Sequence, residues 1–339
     1  MNVAVQKAVE EFEFTAEVAE RMQPVYERVK EHISAEEWPV IAPYVDEILR
    51  LKKERNAVIL AHNYQTRDIF HCVSDIVGDS LALAVKAKEV DADVMVVCGV
   101  HFMAETAKLL NPSKKVLIPD PEAGCSLAES ITGADVQKLR EDNPGVPICT
   151  YVNTSADVKA YVDICCTSAN AKQIVESLDS DKVLLIPDQF LAANVAKTTD
   201  VEILTWAGQC EVHELYKKED IEQIRKDYPE CVILAHPECP PDVLDAADFS
   251  GSTTGMADFV KEKKPEMAAL ITECSMSDNI RADCPDTEFI MSCSMCPHMK
   301  KITLQKIVDC LRDMSNEVFV DEAIAEPARA SIEAMIDAS

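Results

Sequence analysis

Apolar and polar positions change period once along this chain. Residues 1–55 carry apolar side chains at helical spacing on an acidic background, as at Val45, Ile48 and Leu49, which predicts amphipathic helices. From Ala57 onward, short apolar runs that end in polar residues alternate with helical stretches, the pattern of α/β architecture.

The alternation comes in three copies. AVILA runs into His62-Asn63-Tyr64, PICT into Tyr151-Val152-Asn153, and CVILA into His236-Pro237-Glu238. Each triplet is followed by a turn of small hydroxyl residues that opens a helix: Gly78-Asp79-Ser80, Thr167-Ser168-Ala169-Asn170 and Gly251-Ser252-Thr253-Thr254-Gly255. The first triplet residue and the turn serine stand 18, 17 and 16 positions apart. A second strand follows (DVMVVCG, KVLLIPD, EMAALITEC), then a third (KVLIPD, VEILTW, TEFIMSC). Each copy ends on a cysteine expected to start a helix, Cys125, Cys210 and Cys296, spaced 85 and 86 residues apart.

A repeat of this size is one structural unit used three times. The expected fold is three similar three-layer α/β/α domains with short parallel sheets, related by pseudo-threefold symmetry. Residues 1–55 form an acidic helical extension. Residues 56–145 are the first domain, sharing elements with the C-terminal segment; 146–230 are the second and 231–310 the third. Residues 311–339 are helices packing back on the core. The triplets and turns fall at the carboxyl ends of parallel strands, where open α/β sheets bind ligands, and the three cysteines can converge on one point.

Charge narrows the partners. With 33 Lys+Arg against 60 Asp+Glu, the net charge is −27, which argues against nucleic acid and anionic membranes but not against small anions held in a local pocket. The first thirty residues lack the apolar core of a signal peptide, and no apolar run reaches the length of a membrane span. A cytoplasmic location is expected. There, 14 cysteines are not a disulfide framework, and most pack as small hydrophobes; Cys98, Cys149, Cys165, Cys166, Cys231, Cys274 and Cys310 are read that way.

Three thiolates from three domains suit an iron–sulfur cluster with one iron left open, a Lewis acid for a substrate oxygen. A tetrahedral zinc site with an open position is the competing reading. Cys293 and Cys296 form a C-x-x-C that is half a zinc site or a redox pair. His62, Tyr64, Tyr151, Asn153, His236 and Glu238 supply acid, base and hydrogen-bonding groups at strand ends. Ser80, Ser168, Ser252 and Thr253 open helices, where hydroxyls either cap the helix or hold a carboxylate or phosphate. His32 falls in the acidic head and is expected in solvent.

Several segments together resemble the quinolinate synthase family: AHNYQ at Ala61–Gln65, GDSLALA at Gly78–Ala84, FMAETAKLLNP at Phe102–Pro112, TYVNTSADVKA at Thr150–Ala160, TSANA at Thr167–Ala171, GQCEVH at Gly208–His213, HPEC at His236–Cys239 and CPHMKKITL at Cys296–Leu304. The resemblance implies a [4Fe–4S] cluster on Cys125, Cys210 and Cys296, with one iron lacking a protein ligand. It implies condensation of iminoaspartate with dihydroxyacetone phosphate to quinolinate, losing phosphate and two waters, for NAD synthesis. It carries substrate contacts onto His62, Ser80, Tyr151, Asn153, Ser168, His236, Glu238 and Thr253, with Ser252 beside them. Proton transfer falls on Tyr64, His236 and Glu238, with Glu238 as base and Tyr64 as acid. The expected partners are these two substrates and the enzyme that supplies iminoaspartate, with the chain a monomer or homodimer. The alternative is a non-catalytic iron–sulfur or zinc protein that senses redox state through Cys293 and Cys296.

Overall fold

The central strands of this chain are apolar on both faces, so each must be covered by helices on both sides. The computed structural model describes residues 12–290 and 294–339; Cys293, and with it the C-x-x-C to Cys296, lies outside the described residues. The first sheet contains β1 (Ala57–His62), β2 (Ile76–Gly78), β3 (Val94–Cys98) and β4 (Lys115–Leu117). The second contains β5 (Ile148–Tyr151), β6 (Ile164–Cys166), β7 (Lys182–Ile186) and β8 (Glu202–Thr205). The third contains β9 (Val232–Ala235), β10 (Phe249–Ser250), β11 (Met267–Ile271) and β12 (Glu288–Ile290). All three sheets are parallel and share one order: β2-β1-β3-β4, β6-β5-β7-β8 and β10-β9-β11-β12. Three repeated α/β/α layers are therefore the architecture. Every residue of β3 and β5 is buried.

Each sheet has one strand more than the three read from sequence. The extra strands, β2, β6 and β10, are two or three residues long, too short to show a period. An aspartate fixes each of them. The carboxylates of Asp75, Asp163 and Asp248 accept the N–H groups of Ile59, Ile148 and Ile233 in the neighbouring central strand, at 2.8, 2.7 and 2.8 Å. A cation backs each carboxylate: Lys52, Arg140 and Arg225 at 2.8, 3.1 and 2.8 Å. One polar clamp thus recurs in all three domains. It aligns the edge strand that leads into the helix-opening turn.

The described part of the acidic head, from residue 12 onward, is helical because its apolar residues fall on one stripe. In the helix Ala16–Val29 the buried residues are Val18, Met22, Val25 and Val29, and Thr15 caps it by accepting the Val18 N–H. The helix Trp38–Glu54 buries Trp38, Ala42, Val45, Ile48 and Leu51 and packs on β1 and on the helix Leu304–Asp313. His32 is half-buried rather than free in solvent: its ring stacks on His71 at 3.4 Å between centroids. The C-terminal segment runs back along β4. The Ile118 N–H donates to the Asn316 carbonyl at 3.1 Å, and the Val318 N–H donates to the Val116 carbonyl in β4 at 2.9 Å. The last helix, Glu322–Asp337, then crosses to β6 and the helix Ala156–Lys159. No helix among the described residues is long and apolar enough to cross a membrane.

Candidate active site

The three sheets direct their strand ends at one cavity. His62, Tyr64, Tyr151, Asn153, His236 and Glu238 line it, as do Ser80, Ser168 and Thr253, and so do Cys125, Cys210 and Cys296. Groups from all three domains, scattered over more than 230 residues of sequence, share this space.

The cysteines do not start full helices. Cys125 precedes the four-residue turn Ser126–Glu129, while Cys210 and Cys296 precede the single 3-10 turns His213–Leu215 and Met299–Lys301. What the repeat preserves is more local than a helix dipole. Each sulfur accepts the backbone N–H groups two and three residues ahead: Leu127 and Ala128, Val212 and His213, His298 and Met299. Even so, burial pushes the thiols up, Cys125 to about 12, Cys210 well above the usual range and Cys296 in the same direction. Three half-exposed to buried sulfurs with matching amide donors need a positive counter-charge to be thiolates, and a metal centre supplies one. A second set also has ligating atoms close together: Cys210, His213 and Glu238 lie within 4.8 Å of one another.

The serines and threonines divide into two roles. Ser252 is a helix cap, its Oγ accepting the Gly255 N–H at 3.1 Å, and it is not among the cavity-lining residues. Its expected place beside the substrate is thus not one that the cavity lining includes. The helix Ser80–Glu89 is capped by Asp79, whose carboxylate accepts the Ala82 N–H at 2.9 Å, so Ser80 itself is free to line the cavity. Thr253 follows its cap and accepts the Asn63 amide N–H at 2.8 Å. Ser168 precedes Asn170, the residue at the cap position of the next helix. Among the lining residues described there is no lysine or arginine, so an anion in this cavity would meet hydroxyls and N–H groups at the helix starts.

The strand-end histidines are held neutral. The Nδ1 atoms of His62 and His236 accept the N–H two residues ahead, from Tyr64 at 3.2 Å and Glu238 at 3.3 Å. Burial lowers His62 to about 4 and His236 to about 3. With Nδ1 occupied as an acceptor, each ring carries its proton on Nε2 and can donate it as a hydrogen bond.

A chain of hydrogen bonds crosses the cavity wall. Tyr64 Oη lies 2.5 Å from Thr272 Oγ1, and Thr272 Oγ1 lies 3.0 Å from His213 Nε2. His213 Nδ1 lies 2.8 Å from Glu238 Oε2, and Glu238 Oε1 accepts from Tyr151 Oη and, at 3.3 Å, from Asn153. Burial raises the Glu238 carboxyl, but His213 and His236, with hydrogen bonds from His213 and Tyr151, more than reverse this and hold it ionised. Burial and the Glu238 charge push the Tyr64 and Tyr151 phenols well above their ordinary range. An ionised Glu238 fixes the proton on His213 Nδ1. Nε2 then accepts from Thr272, and Thr272 accepts from Tyr64. Sequence reasoning missed His213 and Thr272. Both had a signal: His213 stands three residues after a repeat cysteine, and Thr272 directly follows β11.

Comparison with known proteins agrees with this picture. The family model described as quinolinate synthetase A protein matches residues 46–337. A quinolinate synthase of Sinorhizobium fredii is 60% identical over 324 residues, 96% of this chain and 90% of its own length. That of Caulobacter vibrioides is 57% identical over 328 residues, 96% and 89% of the two chains. That of Xylella fastidiosa is 64% identical over 292 residues, 86% of each. By the extent of the family match and the identity to these relatives, the chain belongs to the quinolinate synthetase A family.

Proposed function

We propose that the three-domain cavity condenses iminoaspartate with dihydroxyacetone phosphate to quinolinate, with loss of phosphate and two waters. Making quinolinate for NAD synthesis is the enzymatic activity of this chain as a family member. The observation that carries the detailed reading is the unbroken path Tyr64–Thr272–His213–Glu238 on the wall of the cavity that the three cysteines enter.

Cys125, Cys210 and Cys296 would hold a [4Fe–4S] cluster, since each offers a sulfur with the same pair of amide donors. When bound, such a cluster supplies an open iron that acts as a Lewis acid toward a substrate oxygen. Ser80, Ser168 and Thr253 bind carboxylate or phosphate oxygens, and His62, His236 and Asn153 donate hydrogen bonds that orient the substrate. Tyr64 exchanges the protons. Its hydroxyl proton passes to Thr272 as the Thr272 proton passes to His213 Nε2, and the resulting imidazolium is paired to Glu238. The phenol is thereby a base when the relay is charged toward His213 and an acid when it returns. Glu238 acts through His213 rather than by touching the substrate proton, because both of its oxygens are already engaged.

A zinc ion on Cys210, His213 and Glu238 is the reading that the second ligand set favours. It would consume the two central groups of the relay and leave the matching amide pairs at Cys125 and Cys296 without a purpose. A redox sensor would require neither the relay nor the anion-binding hydroxyls. Anaerobic turnover of the two substrates, followed by quinolinate formation, tests the proposal. Tyr64→Phe and Glu238→Gln should each retain cluster and fold while losing turnover by roughly 10²–10⁴-fold, and near-normal turnover in both would refute it.

A further inference from the structure

The three cysteine loops come from different domains, yet side chains beside the cysteines join them directly. Ser126, one residue past Cys125, brackets Cys210: its Oγ donates to the Gln209 carbonyl at 3.2 Å and accepts the Glu211 N–H at 3.1 Å. Glu211, one past Cys210, brings its Oε1 to 2.8 Å from Nε2 of His298, two past Cys296, a close approach of ion-pair type rather than a formed hydrogen bond. The third side closes against the first. Lys301 donates to the Glu122 carbonyl at 2.7 Å, and a Cβ on Gly124 would lie 3.5 Å from His298 Nδ1. The loops thus form a closed ring, and none of the joining side chains is itself one of the three sulfur ligands.

We propose that Ser126, Glu211 and His298 are positioning residues that clasp the three thiolate loops and set how slowly the cluster is lost. The proposal rests on the cluster reading above and extends it to retention. Each thiolate sits on a single turn, too short to hold its own position. A cluster leaves only when one loop swings away from the other two, and the clasp opposes that motion. Groups that orient metal ligands without touching the metal typically change its retention by about 10–100-fold.

The test is the rate of iron release from anaerobically purified holo-protein to an excess ferrous chelator, followed by loss of the visible absorbance. Ser126→Ala, Glu211→Ala and His298→Ala should each speed release by about tenfold. The Glu211→Ala/His298→Ala double variant should be no faster than the faster single variant, since both remove one contact. Thermal midpoints of the corresponding apo-proteins should match wild type. Unchanged release rates would overturn the proposal. Multiplied effects in the double variant would also overturn it, because the two residues would then act separately. Lowered apo midpoints would do the same, since the contacts would then serve the fold. If wild type itself carried no iron and sulfide, the underlying cluster reading would fall first, and the clasp with it.

Discussion

At the scale of single residues, the site separates groups that look alike in sequence. Ser252 and Thr253 are adjacent, but one caps a helix and the other faces the cavity. Ser252→Ala should cost about 1 kcal/mol of stability, the usual worth of a cap, with KM unchanged. Thr253→Ala should raise KM, with a thermal midpoint close to wild type. Thermal melts and steady-state kinetics on the pair separate the roles, and exchanged phenotypes would refute the assignment. Thr272 offers a sharper case. It makes no substrate contact in this account, yet it joins Tyr64 to His213. Thr272→Val preserves shape and removes the hydroxyl. It should lower kcat by about 10–100-fold with little change in KM, because proton handoff is interrupted while binding is not. A rise in KM alone would mean that Thr272 serves binding.

At the scale of elements, the aspartate clamp shows how one local device repeats. Asp163→Ala leaves the Ile148 N–H without its partner and frees β6 from β5. The expected loss is about 1–2 kcal/mol, read from urea unfolding. Asp75→Ala and Asp248→Ala should behave alike if the three domains are equivalent. The alternation of apolar runs was enough to read the two central strands in every domain, because β1, β3, β5, β7, β9 and β11 are nearly all buried. The edge strands β2, β6 and β10 were not legible: two or three residues carry no periodicity, and their place is fixed by an aspartate carboxylate from outside the pattern. The cysteine turns were misread as helices for a related reason. An N-terminal pattern predicts where a helix begins, but tertiary packing ends these after one turn.

At the scale of the molecule, the strand-end residues could be read from sequence because the repeat marks one position three times. His62, Tyr151 and His236 hold that position, and all line the cavity. Thr272 and His213 were not legible as a pair, since their contact spans 59 residues and depends on how the second and third domains meet. Burying neutral histidines at that meeting point has a consequence for pH. His62 and His236 titrate at about 4 and about 3 in the fold, below the roughly 6.5 of an exposed imidazole. The unfolded chain therefore takes up protons that the fold refuses. Their contribution is fully present above about pH 6.5 and is lost as pH falls toward the folded values, by up to about 3 kcal/mol per pH unit for the two together. Urea midpoints measured from pH 7 to pH 5 should fall, and the His62→Gln variant should show a shallower slope. An identical slope would mean that His62 is not buried neutral.

The central claim is that three domains each give one thiolate to a single cluster. Counting iron and sulfide in anaerobically purified protein tests it most directly. The account predicts roughly four of each per chain in wild type and in Cys165→Ala, and loss of the cluster in Cys125→Ala, Cys210→Ala and Cys296→Ala. A full complement of iron and sulfide in all three of those single variants would contradict it.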